Sequence, residues 1–420
     1  MSLDDDKKYL WHPLTQHQLH PDHLEIKRAE GALLIDDRDK EYIDGIASWY
    51  TCMYGHCNPH ITSMVSEQMQ SLDHVVFTGF THKPATRLAK SLIKILPQNQ
   101  GKLFFSDNGS TSVDVAIKMA LQYHFNKGVK KNKIIAFQDG FHGDTFGAMS
   151  VSGLSIYNGP FEDFFLDVVR IPVPNENNVE YIKDLFAKIA GNNNVAAFVY
   201  EPLVQGAAGM KMHKAEHLDE LLKIAKQHRI ISIADEVMTG FGKTGKNFAS
   251  EFMTHLPDIM CLSKSLTGGL VPMAITSCTE DIYSAFLSSK MEKGFFHGHT
   301  YSANPTSCTA ALASIELLMS DEIQNSINRI TSSHQQFIAK IKDHPKVKNT
   351  RQQGVIIALD LDVDTDRYGD LRFRLFDFYM NRGVYLRPLG NTVYILAPYV
   401  ISKEQLEKVY KTIEDSFEII

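Results

Sequence analysis

The chain has 420 residues, of which 44% are hydrophobic and 22% charged, and its formal net charge is −6. A chain of this length is sufficient for two or three domains with sizeable buried cores. The acidic balance argues against a general attraction to nucleic acid or to an acidic membrane surface, and no apolar run approaches the ~20 residues that span a bilayer. We therefore expect a globular protein with neither a nucleic-acid nor a membrane partner.

The N-terminus and the cysteines indicate the cellular compartment. Residues 1–8 are mostly charged and lack the apolar stretch of a signal peptide. The five cysteines follow neither a disulfide framework nor a zinc-binding spacing. We therefore expect reduced cysteines in a cytoplasmic protein.

The order of apolar patterns predicts the domain organisation. Strand patterns at 31–37 and 42–45 form a small β-rich element near the N-terminus. From about 60 to 300, short apolar runs alternate with helical patterns, which is typical of a mostly parallel sheet covered on both faces. A long helix is predicted over 302–320, and the following helix, strands and closing helix from Ser402 indicate a separate C-terminal α+β domain.

The segment 106–111 (Ser-Asp-Asn-Gly-Ser-Thr) lies between the apolar run 103–105 and an amphipathic helical pattern. The N–H groups at the start of a helix, together with the hydroxyls of Ser110 and Thr111, would bind an anion such as phosphate. The alternative is an ordinary helix cap, for which Asn, Ser and Thr are the common residues.

Two residues directly follow apolar runs that are typical of buried parallel strands. Asp235 directly follows the run 230–234, and Lys264 comes two residues after the end of the run 259–262. In an open α/β sheet, ligands bind at the carboxyl ends of the strands, where both side chains would lie. A carboxylate for a pyridinium nitrogen and an amine for covalent attachment are what pyridoxal phosphate requires.

The segment from Gly140 to Thr145 follows another apolar run, and its glycines bracket Phe141 and His142. Phe141 would stack on a flat ring, whereas the alternative is a glycine-rich turn with a packed Phe. His142 is interpreted either as a general base or as a hydrogen-bonded structural residue. Glu201 and Glu236 also lie at the ends of apolar runs, but no histidine cluster accompanies them, so we interpret them as structural rather than as metal ligands.

Two further segments bear on ligand binding. The segment 240–246 is glycine-rich but lacks the spacing of a phosphate loop and its strand-to-helix context, which argues against nucleotide binding. Arg387 lies between strand patterns of the C-terminal domain and either holds a substrate carboxylate or is a surface residue.

Taken together, these segments resemble the class III, fold-type I pyridoxal-phosphate aminotransferases over nearly the whole chain, from Trp11 to Tyr399. The strongest mark is the segment 235–245 (Asp-Glu-Val-Met-Thr-Gly-Phe-Gly-Lys-Thr-Gly), followed at the proper distance by Ser263-Lys264. The resemblance implies a large domain with a mostly parallel sheet and a small α+β domain built from both termini. The implied boundaries are 1–55 and 323–420 for the small domain and 56–322 for the large one.

The resemblance also implies the cofactor-binding and catalytic residues. Lys264 would carry pyridoxal phosphate covalently, and Asp235 would pair with its ring nitrogen. Gly109 and Ser110 would bind the phosphate, and Phe141 would stack on the ring. Lys264 and Asp235 are thus the implied catalytic residues.

The implied assembly is a homodimer, because Thr300 with His299 would reach the phosphate of the neighbouring subunit's cofactor. Trp49, Gly298 and Arg387 would line the substrate site together with Phe141 and Lys264, and Arg387 would take the substrate's carboxylate.

Within the family, the match is strongest to the branch that converts 8-amino-7-oxononanoate to 7,8-diaminononanoate in biotin biosynthesis, with S-adenosylmethionine as the amino donor. The segments that carry this finer match are Trp11–Thr15, Asp44–Tyr50, His142–Ser150, His297–Thr300 and Tyr385–Arg387 with Pro388 and Tyr394. Ala207 stands where glutamate-using relatives often carry a glutamate, and Met238 where many carry a glutamine. Both differences argue against ornithine, acetylornithine and 4-aminobutyrate as substrates.

The chain also departs from the pattern of this branch. Leu14 and Phe141 replace tyrosines, Tyr50 replaces a second tryptophan, and Lys243 replaces an arginine. These changes concern how the amino donor is held, and a lysine-using form of the enzyme is the alternative, although Trp49 favours S-adenosylmethionine. Another class III ω-aminotransferase and a non-catalytic regulator with the same fold are further candidates. A nicotinamide-dependent oxidoreductase would need a GxGxxG segment after an early strand, and the chain has none at that place.

Overall fold

The computed structural model describes residues 3–19 and 23–420, in which strands and helices alternate along the chain. The strands are β1 (Ile26–Glu30), β2 (Leu33–Asp36), β3 (Glu41–Asp44), β4 (Gln100–Ser106), β5 (Lys133–Phe137), β6 (Val168–Ile171), β7 (Val195–Tyr200), β8 (Val204–Gln205), β9 (Lys211–Met212), β10 (Ile231–Asp235), β11 (Ile259–Leu262), β12 (Ala274–Thr279), β13 (Val347–Gln353), β14 (Ile356–Leu361), β15 (Val384–Tyr385) and β16 (Thr392–Ile395). The helices are α1 (Leu3–Tyr9), the single turn α2 (Ala47–Tyr50), α3 (Pro59–Ser71), α4 (Lys83–Ile95), α5 (Gly109–Asn126), α6 (Phe146–Val151), α7 (Val179–Ala190), α8 (Ala215–Gln227), α9 (Glu280–Ser284), α10 (Pro305–Leu318), α11 (Asp321–Ile341), α12 (Leu371–Asn381) and α13 (Lys403–Ser416).

The large sheet has seven strands in the order β4-β12-β11-β10-β7-β5-β6. Neighbouring strands are parallel except around β12, which runs antiparallel to both β11 and β4. Every residue of β7, β10 and β11 is buried, as expected for central strands covered on both faces. The predicted mostly parallel sheet is confirmed, and it places the carboxyl ends of β7, β10 and β11 side by side.

A second, smaller sheet joins the two ends of the chain. It has the order β1-β2-β3-β15, and β15 from the C-terminal region pairs parallel with β3, Val384 opposite Ile43 and Tyr385 opposite Asp44. A three-stranded antiparallel sheet, β13-β14-β16, completes the C-terminal region. Both termini therefore contribute to the small α+β part, as predicted, and the boundaries after residues 55 and 322 stay predictions.

The predicted elements agree with the structure apart from their ends. The helix expected over 302–320 is α10, which is capped by Asn304 and begins with Pro305. The closing helix begins at Lys403, because the Ser402 hydroxyl accepts the N–H of Gln405 as its cap. The first predicted strand is shorter than 31–37, since Gly31 makes only an isolated bridge with His56.

Two further expectations concern the whole chain. Each of the five cysteines is free of a disulfide. Among the residues that the structure describes, no helix combines the length and the apolar composition needed to cross a bilayer.

Candidate functional site

A cavity of about 870 Å³ opens at the carboxyl ends of the large sheet. Its wall includes segments that follow β4, β5, β10 and β11, together with residues from the small domain. This volume is typical of cavities that bind a cofactor or a small substrate. The topology thus brings together side chains that are far apart in the sequence.

Asp235 ends β10 and is 4% exposed. Its Oδ1 atom accepts the N–H of Val237 at 3.0 Å, and its Oδ2 atom accepts a hydrogen bond from Nδ1 of His142 at 2.7 Å. Burial lowers the pKa of His142, but the hydrogen bond to Asp235 and the charges of Asp235 and Glu201 outweigh burial, so that this pKa is raised. The contact with Asp235 therefore favours the protonated form of His142 more than burial alone would allow.

Glu201 directly follows β7 and is 4% exposed. Its carboxylate accepts the N–H groups of Phe141 and Gly206, each at 2.9 Å. Burial raises the pKa of Glu201 to about 7, partly offset by the charge of His142. Glu201 therefore fixes the backbone of Phe141, which agrees with a structural role for this carboxylate.

Lys264 follows β11 and begins a short 3-10 turn with a positive φ of 52°. The side chain lines the cavity, and its Nζ atom lies 5.6 Å from the centroid of the Tyr50 ring. Burial lowers the pKa of Lys264, whereas the charges of Asp235 and Glu201 act in the opposite direction. A lowered pKa makes a larger fraction of the amine neutral, and therefore nucleophilic, near pH 7.

The start of α5 lies in the cavity wall. Asn108 caps this 18-residue helix, and Thr111 completes a capping box. A side chain on Gly109 would bring its Cβ within 2.8 Å of Val237, so only glycine fits there. Ser110 Oγ lies 2.8 Å from Oγ1 of Thr145 and accepts the Thr145 N–H at 2.9 Å. The helix cap is thus confirmed, and because the same helix start lines the cavity, phosphate binding there stays a prediction.

One side of the cavity is built on the unusual turn α2. All four of its residues, from Ala47 to Tyr50, have positive φ angles between 44° and 71°. Such left-handed residues cost roughly 1–2 kcal/mol each when they are not glycine. The turn is held by Ser48 Oγ, which donates to Asp44 at 2.9 Å, and by Tyr50, whose hydroxyl donates to the Tyr394 hydroxyl at 3.0 Å.

Trp49, presented by this turn, lines the cavity and is 42% exposed. The guanidinium of Arg387 lies 4.8 Å from the centroid of the Trp49 ring, a cation–π distance. Arg387 is itself exposed to the cavity. The structure therefore places an aromatic face and a positive charge side by side in the wall that also contains Lys264.

Gly298, His299 and Thr300 lie in a loop that does not contribute to the cavity of their own chain. Gly298 and Thr300 are exposed, and the His299 N–H donates to Ser302 Oγ at 3.3 Å. Their predicted places in the cofactor and substrate sites thus require a neighbouring subunit and stay predictions.

The cavity also has wall residues that the sequence did not reveal. Asp144, Tyr157, Arg367 and Tyr368 line it. The Tyr157 and Tyr368 rings meet edge to face with centroids 6.0 Å apart. Asp144 belongs to the segment 140–145, whereas Tyr157 and the pair Arg367-Tyr368 come from segments without a recognised motif, so only the folded chain brings them together. Leu14, by contrast, lines the cavity as its motif indicates.

Two residues within the motif at 235–245 are structural. Glu236 is buried and accepts the N–H groups of Ala249 and Ser250 at 3.0 and 2.6 Å. Lys243 is also fully buried, donates to the carbonyl of Gly240 at 2.9 Å and does not line the cavity. Burial holds the pKa of Lys243 well below its usual value. Lys243 stands where this branch usually has an arginine. Because Lys243 lies outside the cavity wall, this difference leaves the wall itself unchanged.

Comparisons with known proteins agree with this geometry. A model of the class III aminotransferase family matches residues 15–417. The chain is 42% identical to adenosylmethionine-8-amino-7-oxononanoate aminotransferase of Synechococcus elongatus, over 97% of this chain and 98% of that one. It is 34% identical to the protein of the same name from Staphylococcus aureus, over 97% and 95% of the two chains.

Solved structures show the same fold. The enzyme of that name from Methanocaldococcus jannaschii superimposes with a TM-score of 0.92 at 32% identity, covering 98% of each chain. A transaminase from the marine bacterium Virgibacillus also gives a TM-score of 0.92, at 27% identity, over 99% of this chain and 98% of that one. The chain therefore belongs to the class III aminotransferases, the fold-type I family of pyridoxal-phosphate enzymes.

Proposed function

We propose that the protein transfers an amino group from S-adenosylmethionine to 8-amino-7-oxononanoate, with pyridoxal phosphate as cofactor, in biotin biosynthesis. The observation that carries the proposal is the convergence of Asp235, Lys264 and Arg387 on one cavity, in a chain whose relatives at 33–42% identity bear this enzyme's name. Asp235 and Lys264 serve the transfer itself, and Arg387 serves the choice of substrate.

The cavity wall fits the cofactor in its chemistry. Lys264 offers an amine of lowered pKa for covalent attachment, and Asp235 offers a buried carboxylate for the ring nitrogen. Gly109 and Ser110 offer a helix start and a hydroxyl for the phosphate, and Phe141 offers an aromatic face. When bound, pyridoxal phosphate supplies a conjugated ring that takes up electrons from the carbon bearing the transferred amine.

The protein's own residues prepare the site for proton transfer. Asp235, held by His142 at 2.7 Å, would keep a proton on the ring nitrogen of the bound cofactor. Lys264, whose pKa is lowered by burial, would move a proton to and from the substrate carbon. Glu201 fixes the Phe141 backbone, so the aromatic face keeps its position during turnover.

The substrate side is selected by charge and shape. Arg387 would bind the carboxylate of 8-amino-7-oxononanoate, and the neighbouring Trp49 face would support its hydrocarbon chain. Leu14 lines the cavity where this branch usually has a tyrosine, and this difference keeps lysine as the alternative amino donor.

We also propose the assembly and compartment that the family implies. Thr300 and His299 would complete the cofactor site of a partner subunit in a homodimer, since neither lines the cavity of its own chain. Residues 56–322 would form the large domain, with 1–55 and 323–420 in the small one. The protein would act in the cytoplasm.

The test uses purified protein loaded with pyridoxal phosphate and incubated with 8-amino-7-oxononanoate and either S-adenosylmethionine or lysine. We expect 7,8-diaminononanoate with S-adenosylmethionine, detected by mass spectrometry. Lys264→Ala should lose turnover and the covalently attached cofactor, whereas Lys246→Ala, which removes a lysine outside the cavity wall, should retain both. Product formed only with lysine would change the assigned donor, and undiminished turnover by Lys264→Ala would refute the proposed chemistry.

A further inference from the structure

A cluster of metal-binding side chains lies outside the cavity wall, near the N-terminus. Asp6 belongs to α1, His12 follows this helix, and His23 precedes β1. Nε2 of His12 lies 3.0 Å from Oδ2 of Asp6, and Nδ1 of His23 lies 3.6 Å from the same oxygen. One ligand atom from each residue lies within 4.8 Å of the other two. Two imidazoles therefore converge on one carboxylate.

These separations suit a small cation. A tetrahedral zinc ion with bonds of ~2.0–2.1 Å separates its ligand atoms by roughly 3.3 Å. The two measured separations, 3.0 and 3.6 Å, bracket that value. The three side chains are 21–27% exposed, so they are partly shielded and still accessible to an ion from solvent.

The rings of His12 and His23 are stacked, with centroids 3.7 Å apart and an interplanar angle of 17°. An ion bound by both ring nitrogens would turn the rings out of this stack, because a metal ion lies close to the plane of each imidazole that binds it.

We propose that Asp6, His12 and His23 bind a divalent transition-metal ion, with zinc as its representative. Two imidazoles and one carboxylate form a donor set that suits zinc and its neighbours, and a water would complete a tetrahedron. The site would link α1 and the residues that precede β1 to the segment that carries Leu14. Leu14 comes two residues after His12 in the chain and lines the cavity. The bound ion would thus stabilise one segment of the cavity wall from outside the cavity.

The same segment offers a matched control. His17 is partly buried, and its ring centroid lies 5.7 Å from that of His12. Its Nε2 atom accepts the backbone N–H of His12 at 3.1 Å and is not part of the cluster. Removing His17 therefore removes an imidazole from the segment without removing a proposed ligand.

The experiment uses the protein loaded with pyridoxal phosphate, treated with a chelator and dialysed. Zinc is then titrated, and bound metal is measured by elemental analysis. We expect one tight equivalent per chain in the wild type and in His17→Gln. In the double variant Asp6→Asn, His23→Gln this equivalent should bind at least about tenfold more weakly, since even supporting residues of metal sites contribute that much.

Limited proteolysis supplies a second readout. Zinc should slow cleavage within the first 25 residues of the wild type and of His17→Gln, but not of the double variant. Equal thermal midpoints without zinc show that the double variant is folded. Equal zinc binding by the wild type and the double variant would overturn the proposal, and so would binding that depends on His17 instead.

Discussion

The imidazole of His142 lies 2.7 Å from the carboxylate of Asp235, and both side chains are buried at the end of β10. The two residues are 93 positions apart in the chain. The contact raises the pKa of the imidazole against the opposing effect of burial. Asp235 is the residue that we assign to the cofactor's ring nitrogen. No other described contact of Asp235 replaces the imidazole of His142 as its charged partner.

Replacing His142 by leucine should destabilise the protein and weaken cofactor binding, because the Asp235 carboxylate would remain buried without its partner. Removing one member of a buried ion pair typically costs about 3–5 kcal/mol. Urea unfolding and equilibrium binding of pyridoxal phosphate measure the two effects. His124→Leu is the control, since this buried imidazole donates to the neutral carbonyl of Ala196 and should cost only about 1 kcal/mol. Equal losses in both variants would contradict the ion-pair interpretation.

Glu201→Gln should change how stability depends on pH. The pKa of Glu201 is raised by burial from 4.5 to about 7 in the folded protein, so the folded state binds more protons than the unfolded state between these values. Stability contributed by the neutral carboxyl is therefore present below pH ~4.5 and is lost as the pH rises to ~7, by roughly 3 kcal/mol in total.

The glutamine variant lacks this titration, so its stability relative to the wild type should improve steadily from pH 5 to pH 7. Loss of one acceptor for the Phe141 and Gly206 N–H groups adds a penalty that does not vary with pH. Unfolding midpoints at several pH values measure the difference, and Glu67→Gln at an exposed position should parallel the wild type. A constant gap between Glu201→Gln and the wild type would show that Glu201 is ionised throughout.

Arg387→Met should raise the KM for 8-amino-7-oxononanoate by about ten- to a hundredfold, because charge-assisted hydrogen bonds contribute ~1.5–3 kcal/mol. The KM for the amino donor should change less if the carboxylate of the acceptor is the main partner of Arg387. Steady-state kinetics with each substrate varied in turn makes the comparison. Arg382→Met is the matched control, because Arg382 is exposed, lies over the Phe378 ring and does not line the cavity. Equal increases in the KM values of both substrates would show that Arg387 supports the packing of the site and does not bind the carboxylate of the acceptor.

Ala47→Gly should be tolerated unusually well. Glycine removes the cost of a positive φ, about 1–2 kcal/mol, although it loses ~0.5–1 kcal/mol through the entropy of the unfolded chain. Ala310→Gly, at an equally buried alanine of the right-handed helix α10, has only the entropic and packing losses. Urea unfolding should therefore show a smaller loss at 47 than at 310, by about 1–2 kcal/mol. A larger loss at 47 would mean that the turn is not strained.

Much of the fold could be predicted from local patterns. The run 259–262 is observed with the same bounds as β11, and the closing helix follows the predicted Ser402 cap. These elements follow from hydrophobic periodicity and from capping, which depend on neighbours in the chain. The positive φ angles of Ala47 to Tyr50 could not be predicted, because the segment contains no glycine and its strain is offset by tertiary contacts such as Tyr50 with Tyr394.

The sequence by itself determined that Asp235 and Lys264 follow buried parallel strands, and hence that both side chains lie at one edge of the sheet. Only the tertiary structure decided that His142 bonds Asp235, that Glu201 holds Phe141, and that Lys243 is buried away from the cavity. The physical reason is the range of the forces involved. Burial patterns and helix caps depend on residues that are neighbours in the sequence. These partners, by contrast, come into contact only when the sheet forms and places β7, β10 and β11 side by side.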